Sequence, residues 1–112
     1  MEFRILDPDA ILRKLGGKRA LFVELRDIFA DEGPRYLAAI RAGLVEGNAA
    51  AVRLACHSLR GSLSYFGVDA AIQLAGEIER HAAANNLTAL DEMCSRLAGL
   101  VDSALSELQL VA

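Results

Sequence analysis

Residues 47–67 read GNAAAVRLACHSLRGSLSYFG and predict one helix with two different faces. Gly47 suits the end of a preceding helix, Asn48 suits the N-cap of this one, and Gly67 ends it. At about 100° per residue, the apolar positions of the segment gather on one side. They are Val52, Ala55, Leu59, Leu63 and Phe66. The segment therefore predicts an amphipathic helix that buries one side in a core.

His57 lies on the side opposite these apolar residues. Its neighbours on that outer face, within about 60°, are Ala50, Arg53, Arg60, Gly61 and Ser64. Glycine inside a helix costs about 1 kcal/mol relative to alanine, but it leaves room beside the imidazole. Guanidinium groups match the geometry of a phosphate and also attract an acidic partner. We therefore expect an exposed imidazole with open space and positive charge beside it.

The sequence before this segment predicts two further helices. Asp7-Pro8 is a helix-start pattern, and Gly16-Gly17 ends the short helix that follows it. A second helix is expected from Lys18 to about Glu46. Because Gly33-Pro34 interrupts an almost unbroken apolar pattern, we expect one long helix that is kinked at the proline.

The sequence after this segment predicts two more helices. The first runs from about Asp69 to Ala84 and is followed by a turn at Asn85-Asn86. Thr88, with Asp91 three residues later, predicts the start of the last helix. Short connections favour antiparallel neighbours. We expect an all-α fold, an antiparallel up-down-up-down four-helix bundle with a short additional N-terminal helix as a lid, in a single domain over residues 1–112.

Composition limits the classes of function. The chain has 112 residues, 54% of them hydrophobic, and a formal net charge of −3, which argues against a strongly basic nucleic-acid binder. No segment is a signal peptide or a membrane span, so we expect a cytoplasmic protein. Two cysteines and two histidines make neither a disulfide framework nor a zinc site. Cys56 and Cys94 are expected to pack in the core, and His81 to lie on the surface.

The run His57-Ser58-Leu59-Arg60-Gly61-Ser62, followed by Gly67, resembles the signature of histidine-containing phosphotransfer (HPt) domains. That signature reads His-x-Leu-Lys-Gly-Ser, with a glycine about five residues further on. The resemblance extends over nearly the whole chain and includes the positions of Phe29, Pro34, Gly47-Asn48 and Ile78-Glu79. It implies a helical bundle that takes a phosphoryl group from the aspartate of one receiver domain and passes it to another.

The resemblance also implies a role for each matching residue. His57 matches the phosphoacceptor, and Gly61 matches the small residue that clears its approach. Arg60 stands where the family usually has lysine, which steadies the phosphoryl group; the charge is kept but the shape differs. Ser62 turns inward and is expected to pack or to bond back within the helix. By the helical repeat, Arg53 and Ser64 also lie on the outer face and are the expected partner contacts, with a solvated surface charge as the alternative for Arg53.

A phosphocarrier of this kind is not an enzyme and needs no cofactor of its own. Mg²⁺ is expected on the partner, a receiver domain of a response regulator or hybrid sensor kinase. Neither nucleic acid nor a membrane is an expected partner, and we expect a monomer because the bundle buries its own apolar faces. An exposed apolar patch near His57 would serve docking. The initial methionine and the well-bounded helices suit a free protein, although a fragment of a hybrid kinase would look the same.

Two other functions are compatible with parts of this pattern. A non-catalytic adaptor would bind a receiver or kinase domain without carrying phosphate. A bundle with a ligand or metal in its core would need polar side chains at core positions, and the sequence offers almost none. Glu77 and Glu79 do not form an acid–base pair, since residues two apart do not share a helix face.

Overall fold

A computed structural model describes residues 3–111, and within that range the chain forms five helices and no strands. The helices are α1 (Pro8–Lys14), α2 (Arg19–Glu46), α3 (Ala49–Ser64), α4 (Asp69–Ala83) and α5 (Leu90–Leu110). The all-helical fold expected from the sequence is confirmed.

The start of α1 and the junction between α2 and α3 follow the local signals in the sequence. The Asp7 carboxylate accepts a hydrogen bond from the Ala10 amide at 3.1 Å and caps α1. Gly47 adopts a left-handed conformation, with φ of 68°, and ends α2. The Asn48 side chain then accepts from the Ala51 amide at 3.0 Å and caps α3. These caps set where the helix that carries His57 begins.

Helix α2 is a single helix of 28 residues that continues through Pro34. A proline in a helix lacks the amide that would bond one turn back. The helix stays packed against the core on both sides of Pro34, where Phe29 and Ile40 are buried. The expectation of one long helix rather than two is confirmed.

The start of α5 differs from the prediction. A cap at Thr88 would begin the helix at once, but α5 begins at Leu90. Ala89 adopts a φ of 65°, which is not helical, and the Thr88 amide donates to Asn86 Oδ1 at 3.3 Å. The prediction of Thr88 as the helix-start residue is therefore wrong, since the turn after α4 extends further than the local pattern shows. Helix α3 also ends at Ser64, before the expected Phe66.

The core lies between the four longer helices. Helix α2 contacts α3 and α5, and α4 contacts the same two helices. The Phe66 ring packs against the Phe29 ring, with 5.4 Å between the ring centroids. It also packs edge to face against the Phe22 ring, with 6.4 Å between the centroids. All five residues predicted for the apolar face of α3 are buried, as is Cys56. The buried residues within 3–111 include no polar or charged side chain.

The N-terminal segment is attached to the last helix by one carboxylate. Glu107 accepts hydrogen bonds from the backbone amides of Ile5 and Leu6, at 3.1 Å each. Ile11 of α1 is buried, and Lys14 Nζ donates to the Ser64 carbonyl at 3.0 Å. Helix α1 therefore packs against α2 and reaches the end of α3 through the Lys14 side chain. None of the helices in the described range has the length and apolarity needed to cross a membrane.

Candidate functional site

His57 stands on the outer face of α3, on a rigid base. Its side chain is 63% exposed. Cys56, directly before it, and Leu59, two residues after it, are fully buried. The predicted position of the imidazole outside the bundle agrees with the structure, and the packed inner face of α3 fixes the backbone beneath it.

One nitrogen of the imidazole is occupied by a carboxylate from the next helix. His57 Nδ1 lies 3.0 Å from Glu79 Oε1 on α4. A carboxylate only accepts hydrogen bonds, so this contact is favourable only if Nδ1 carries the proton. In the neutral ring the lone pair is then on Nε2. The nitrogen directed away from Glu79 is therefore the nucleophilic one.

Arg60 joins the same cluster. Its Nη2 lies 3.2 Å from Glu79 Oε2 and 3.3 Å from His57 Nδ1. Because Nδ1 donates to Glu79, the guanidinium has no acceptor on the ring, and its attractive contact is with the carboxylate. Glu79 Oε2 is buried, and its contact with Arg60 lacks hydrogen-bond geometry. Arg60 is thus held by charge rather than locked in place, and 38% of its side chain is exposed.

The space beside His57 is open on the side of Gly61. A Cβ built on Gly61 would meet no atom within 4 Å, and the residue is exposed. Ser64 is exposed too, but its hydroxyl donates to the Gly61 carbonyl at 2.6 Å. Ser62 is half-buried, as its inward position predicted. The hydroxyl that bonds back within the helix is that of Ser64.

A basic groove runs beside His57 between α3 and α4. It has a volume of 350 Å³ and is lined by Arg53, Arg60, Gly76, Glu79, Arg80 and Ala83. An exposed apolar side chain, Leu54, lies one turn before His57 on α3 and is 64% exposed. The structure therefore brings Arg53 and Arg60 to the site, as expected, and adds Arg80 from α4.

Sequence reasoning missed Glu79 as a member of the site. It is correct that Glu79 does not pair with Glu77, which is exposed on another side of α4. Its partner is His57, 22 residues away on a different helix. The helical pattern of α4 marks Glu79 as lying at the border of the buried face, but the register of α4 against α3 depends on packing between the helices. The one available signal was the match of Ile78-Glu79 to the HPt layout.

The remaining reactive side chains do not join the site. Burial, with smaller effects of Cys94 and Glu79, raises the pKa of the Cys56 thiol to about 12. Burial also raises the pKa of Cys94. Both thiols stay protonated near neutral pH and are poor nucleophiles. In residues 3–111, His, Cys, Asp and Glu form no group of three or more that could hold a metal ion. His81 is exposed.

The fold and the site together define a helical bundle that presents one histidine on its surface. A comparison with protein-family models matches the Hpt domain over residues 24–109, and the chain belongs to that family. Hpt domains are helical bundles that carry phosphoryl groups on histidine in phosphorelays. Comparisons with curated proteins and with solved structures give no match.

Proposed function

We propose that this chain is a phosphorelay intermediate that accepts a phosphoryl group on His57 from the aspartyl phosphate of a receiver domain and passes it to the aspartate of another receiver. One observation carries the proposal. The imidazole is exposed on a packed helix, and Glu79 occupies its Nδ1 at 3.0 Å, so that the Nε2 lone pair is available.

The proposed transfer step forms one bond to phosphorus and breaks another. The Nε2 lone pair attacks phosphorus and forms a P–N bond while the bond from phosphorus to the aspartate oxygen breaks. The bonding pair leaves with the aspartate, which becomes a carboxylate. The His57 ring becomes positively charged and keeps its proton on Nδ1, where the Glu79 carboxylate stabilises it. Transfer to the second receiver is the reverse of this step.

Arg60 supplies the cation that such a step needs. In the unphosphorylated protein its guanidinium faces Glu79 at 3.2 Å. We propose that it exchanges this contact for the oxygens of the phosphoryl group, which carry more charge and match the guanidinium geometry. Gly61 leaves the approach to the ring open. Arg53 and Ser64 are proposed to contact the partner at the edge of the site.

The proposed partners are receiver domains, which also supply the metal ion. We propose receiver domains of a response regulator or hybrid sensor kinase as donor and acceptor, with Mg²⁺ held by the receiver and no cofactor on this chain. We also propose a cytoplasmic monomer that is not an enzyme, forming a single domain over residues 1–112. We propose an antiparallel up-down-up-down order for the longer helices. The closeness of Gly43 to Val52 and of Phe29 to Phe66 supports it for α2 and α3.

The test is phosphoryl transfer from a receiver domain labelled with phosphoramidate or acetyl phosphate. The wild-type chain should take up the label, and His57→Gln should take up none, while His81→Gln serves as the matched control and should behave as wild type. Equal labelling of His57→Gln would contradict the proposal.

The alternative is an adaptor that binds a receiver without carrying phosphate. The exposed Leu54, one turn before His57, suits docking in either case. Receiver binding by a wild-type chain that never becomes labelled would favour the adaptor, and so would unchanged signalling by His57→Gln.

A further inference from the structure

The groove between α3 and α4 carries more positive charge than its one carboxylate can balance. Three guanidinium groups, from Arg53, Arg60 and Arg80, line it together with Glu79. Arg53 and Arg80 form no ion pair with another described residue, and both are exposed. The chain as a whole has a net charge of −3, so this local excess of positive charge is opposite in sign to the rest of the molecule.

Two of these guanidinium groups converge on one point. Arg60 Nη1 and Arg80 Nη1 each lie 3.6 Å from the position that a Cβ on Gly76 would occupy. The absence of a side chain at Gly76 leaves room for both guanidinium groups above this point of α4. Like charges brought this close repel each other, and the repulsion weakens when an anion joins them. Glu79 pairs with Arg60 at 3.2 Å, and no described carboxylate forms an ion pair with Arg53 or Arg80.

We propose that Arg53, Arg60 and Arg80 form a docking groove for the acidic rim of a receiver domain, in which Arg80 is a positioning residue that speeds association. The proposal rests on the proposed function. A receiver that holds Mg²⁺ beside its aspartyl phosphate needs further carboxylates for the metal, so the surface that faces His57 is acidic. The groove lies directly beside the imidazole and offers charges of the opposite sign. Arg80 does not contact the imidazole, so it acts on the encounter and not on the transfer step.

The test compares Arg80→Gln with Arg96→Gln in transfer from a labelled receiver. Arg96 is also exposed, lies on α5 outside this groove, and its replacement changes the net charge by the same amount. At low salt, Arg80→Gln should lower kcat/KM by about three- to tenfold with kcat unchanged, while Arg96→Gln should match wild type. The difference should shrink toward zero as NaCl rises to about 0.5 M, because salt screens exposed charges.

Two further variants make the result decisive. Arg80→Lys should keep most of the rate, because it keeps the charge, and Arg80→Glu should lower kcat/KM more than Arg80→Gln does. Equal kcat/KM for Arg80→Gln and Arg96→Gln at low salt would overturn the proposal. A fall in kcat with KM unchanged would also overturn it, because Arg80 would then act in the transfer itself.

Direct binding separates this proposal from the proposed function. Binding of a beryllofluoride-activated receiver to the same variants needs no phosphoryl transfer. Weaker, salt-dependent binding by Arg80→Gln supports the groove even if His57 is never labelled, whereas labelled His57 with unchanged binding by Arg80→Gln rejects the groove and leaves the proposed function standing. Circular dichroism of each variant confirms that the helices are intact.

Discussion

At the scale of single residues, the site depends on a cluster of three side chains, His57 and Arg60 on α3 and Glu79 on α4. Glu79 Oε1 lies 3.0 Å from His57 Nδ1, which favours a proton on that nitrogen, and Arg60 Nη2 lies 3.2 Å from Glu79 Oε2. Each of the three would be unremarkable alone on a helix surface. Together they fix which imidazole nitrogen is free to react, which is the property that a phosphoryl carrier needs.

Replacing Gly61 should raise the stability of the fold and hinder access to the His57 ring. Gly61→Ala adds a methyl group where no atom lies within 4 Å, so it should fold normally and gain about 0.5–1 kcal/mol in free energy of unfolding. The same methyl group enters the approach to His57, and the rate of phosphoryl transfer should fall about tenfold or more. Urea unfolding and transfer kinetics measure the two effects.

Gly99→Ala is the control for this change. Gly99 lies on α5, and a Cβ there also meets no atom within 4 Å. Its replacement by alanine should give a similar gain in stability with no change in the transfer rate. A Gly61→Ala variant that transfers as fast as Gly99→Ala would show that Gly61 does not serve access.

The buried thiol of Cys56 should make stability depend on alkaline pH. Its pKa rises from 9.0 to about 12 on folding, so above pH 9 the unfolded chain releases a proton that the folded chain keeps. The contribution of the Cys56 thiol to the free energy of unfolding is constant below pH 9 and is lost as the pH rises toward 12. At pH 10 the loss is about 1.4 kcal/mol.

Urea unfolding at pH 7 and pH 10 measures this loss. Cys56→Ala should lose less stability between the two pH values than wild type does, since the ionising group is gone. An identical loss in both proteins would mean that the Cys56 thiol is not protected by burial.

At the scale of the helices, the closest approach of α2 and α3 depends on Gly43. A Cβ there would lie 2.8 Å from Val52 Cγ2 and 3.2 Å from the Val52 backbone nitrogen. Because backbone cannot move aside as a flexible side chain can, Gly43→Ala should force the helices apart and cost about 1–3 kcal/mol. Thermal or urea unfolding measures this cost, and a Gly43→Ala variant as stable as Gly99→Ala would contradict the tight crossing.

The helices also show what sequence reasoning can and cannot predict. Asp7, Gly47 and Asn48 act through bonds to residues three or four positions away, so their caps were predictable from sequence alone. The apolar face of α3 and the outward position of His57 follow from helical periodicity. Ala89 adopts a left-handed conformation, so the helix does not begin directly after Thr88 as the local pattern predicted. Glu79 was missed because its partner is set by the packing of α4 against α3, which no single helix specifies.

At the scale of the whole molecule, the four longer helices bury their apolar faces against one another. The large apolar side chains that stay exposed are divided among α2, α3 with its C-cap, and α5. We therefore predict a monomer of 12.0 kDa at micromolar concentration, measured by light scattering after gel filtration. A stable dimer that persists on dilution would contradict this and would require a large interface on the outer faces of the bundle.

The contact between His57 and Glu79 leaves one particular nitrogen free to carry the phosphoryl group. After phosphorylation by a labelled receiver, ³¹P and ¹⁵N NMR identify the atom that carries phosphorus. We predict a bond to Nε2 of His57, with Nδ1 still facing Glu79. Phosphorus bonded to Nδ1 of His57, or found on His81, would contradict it.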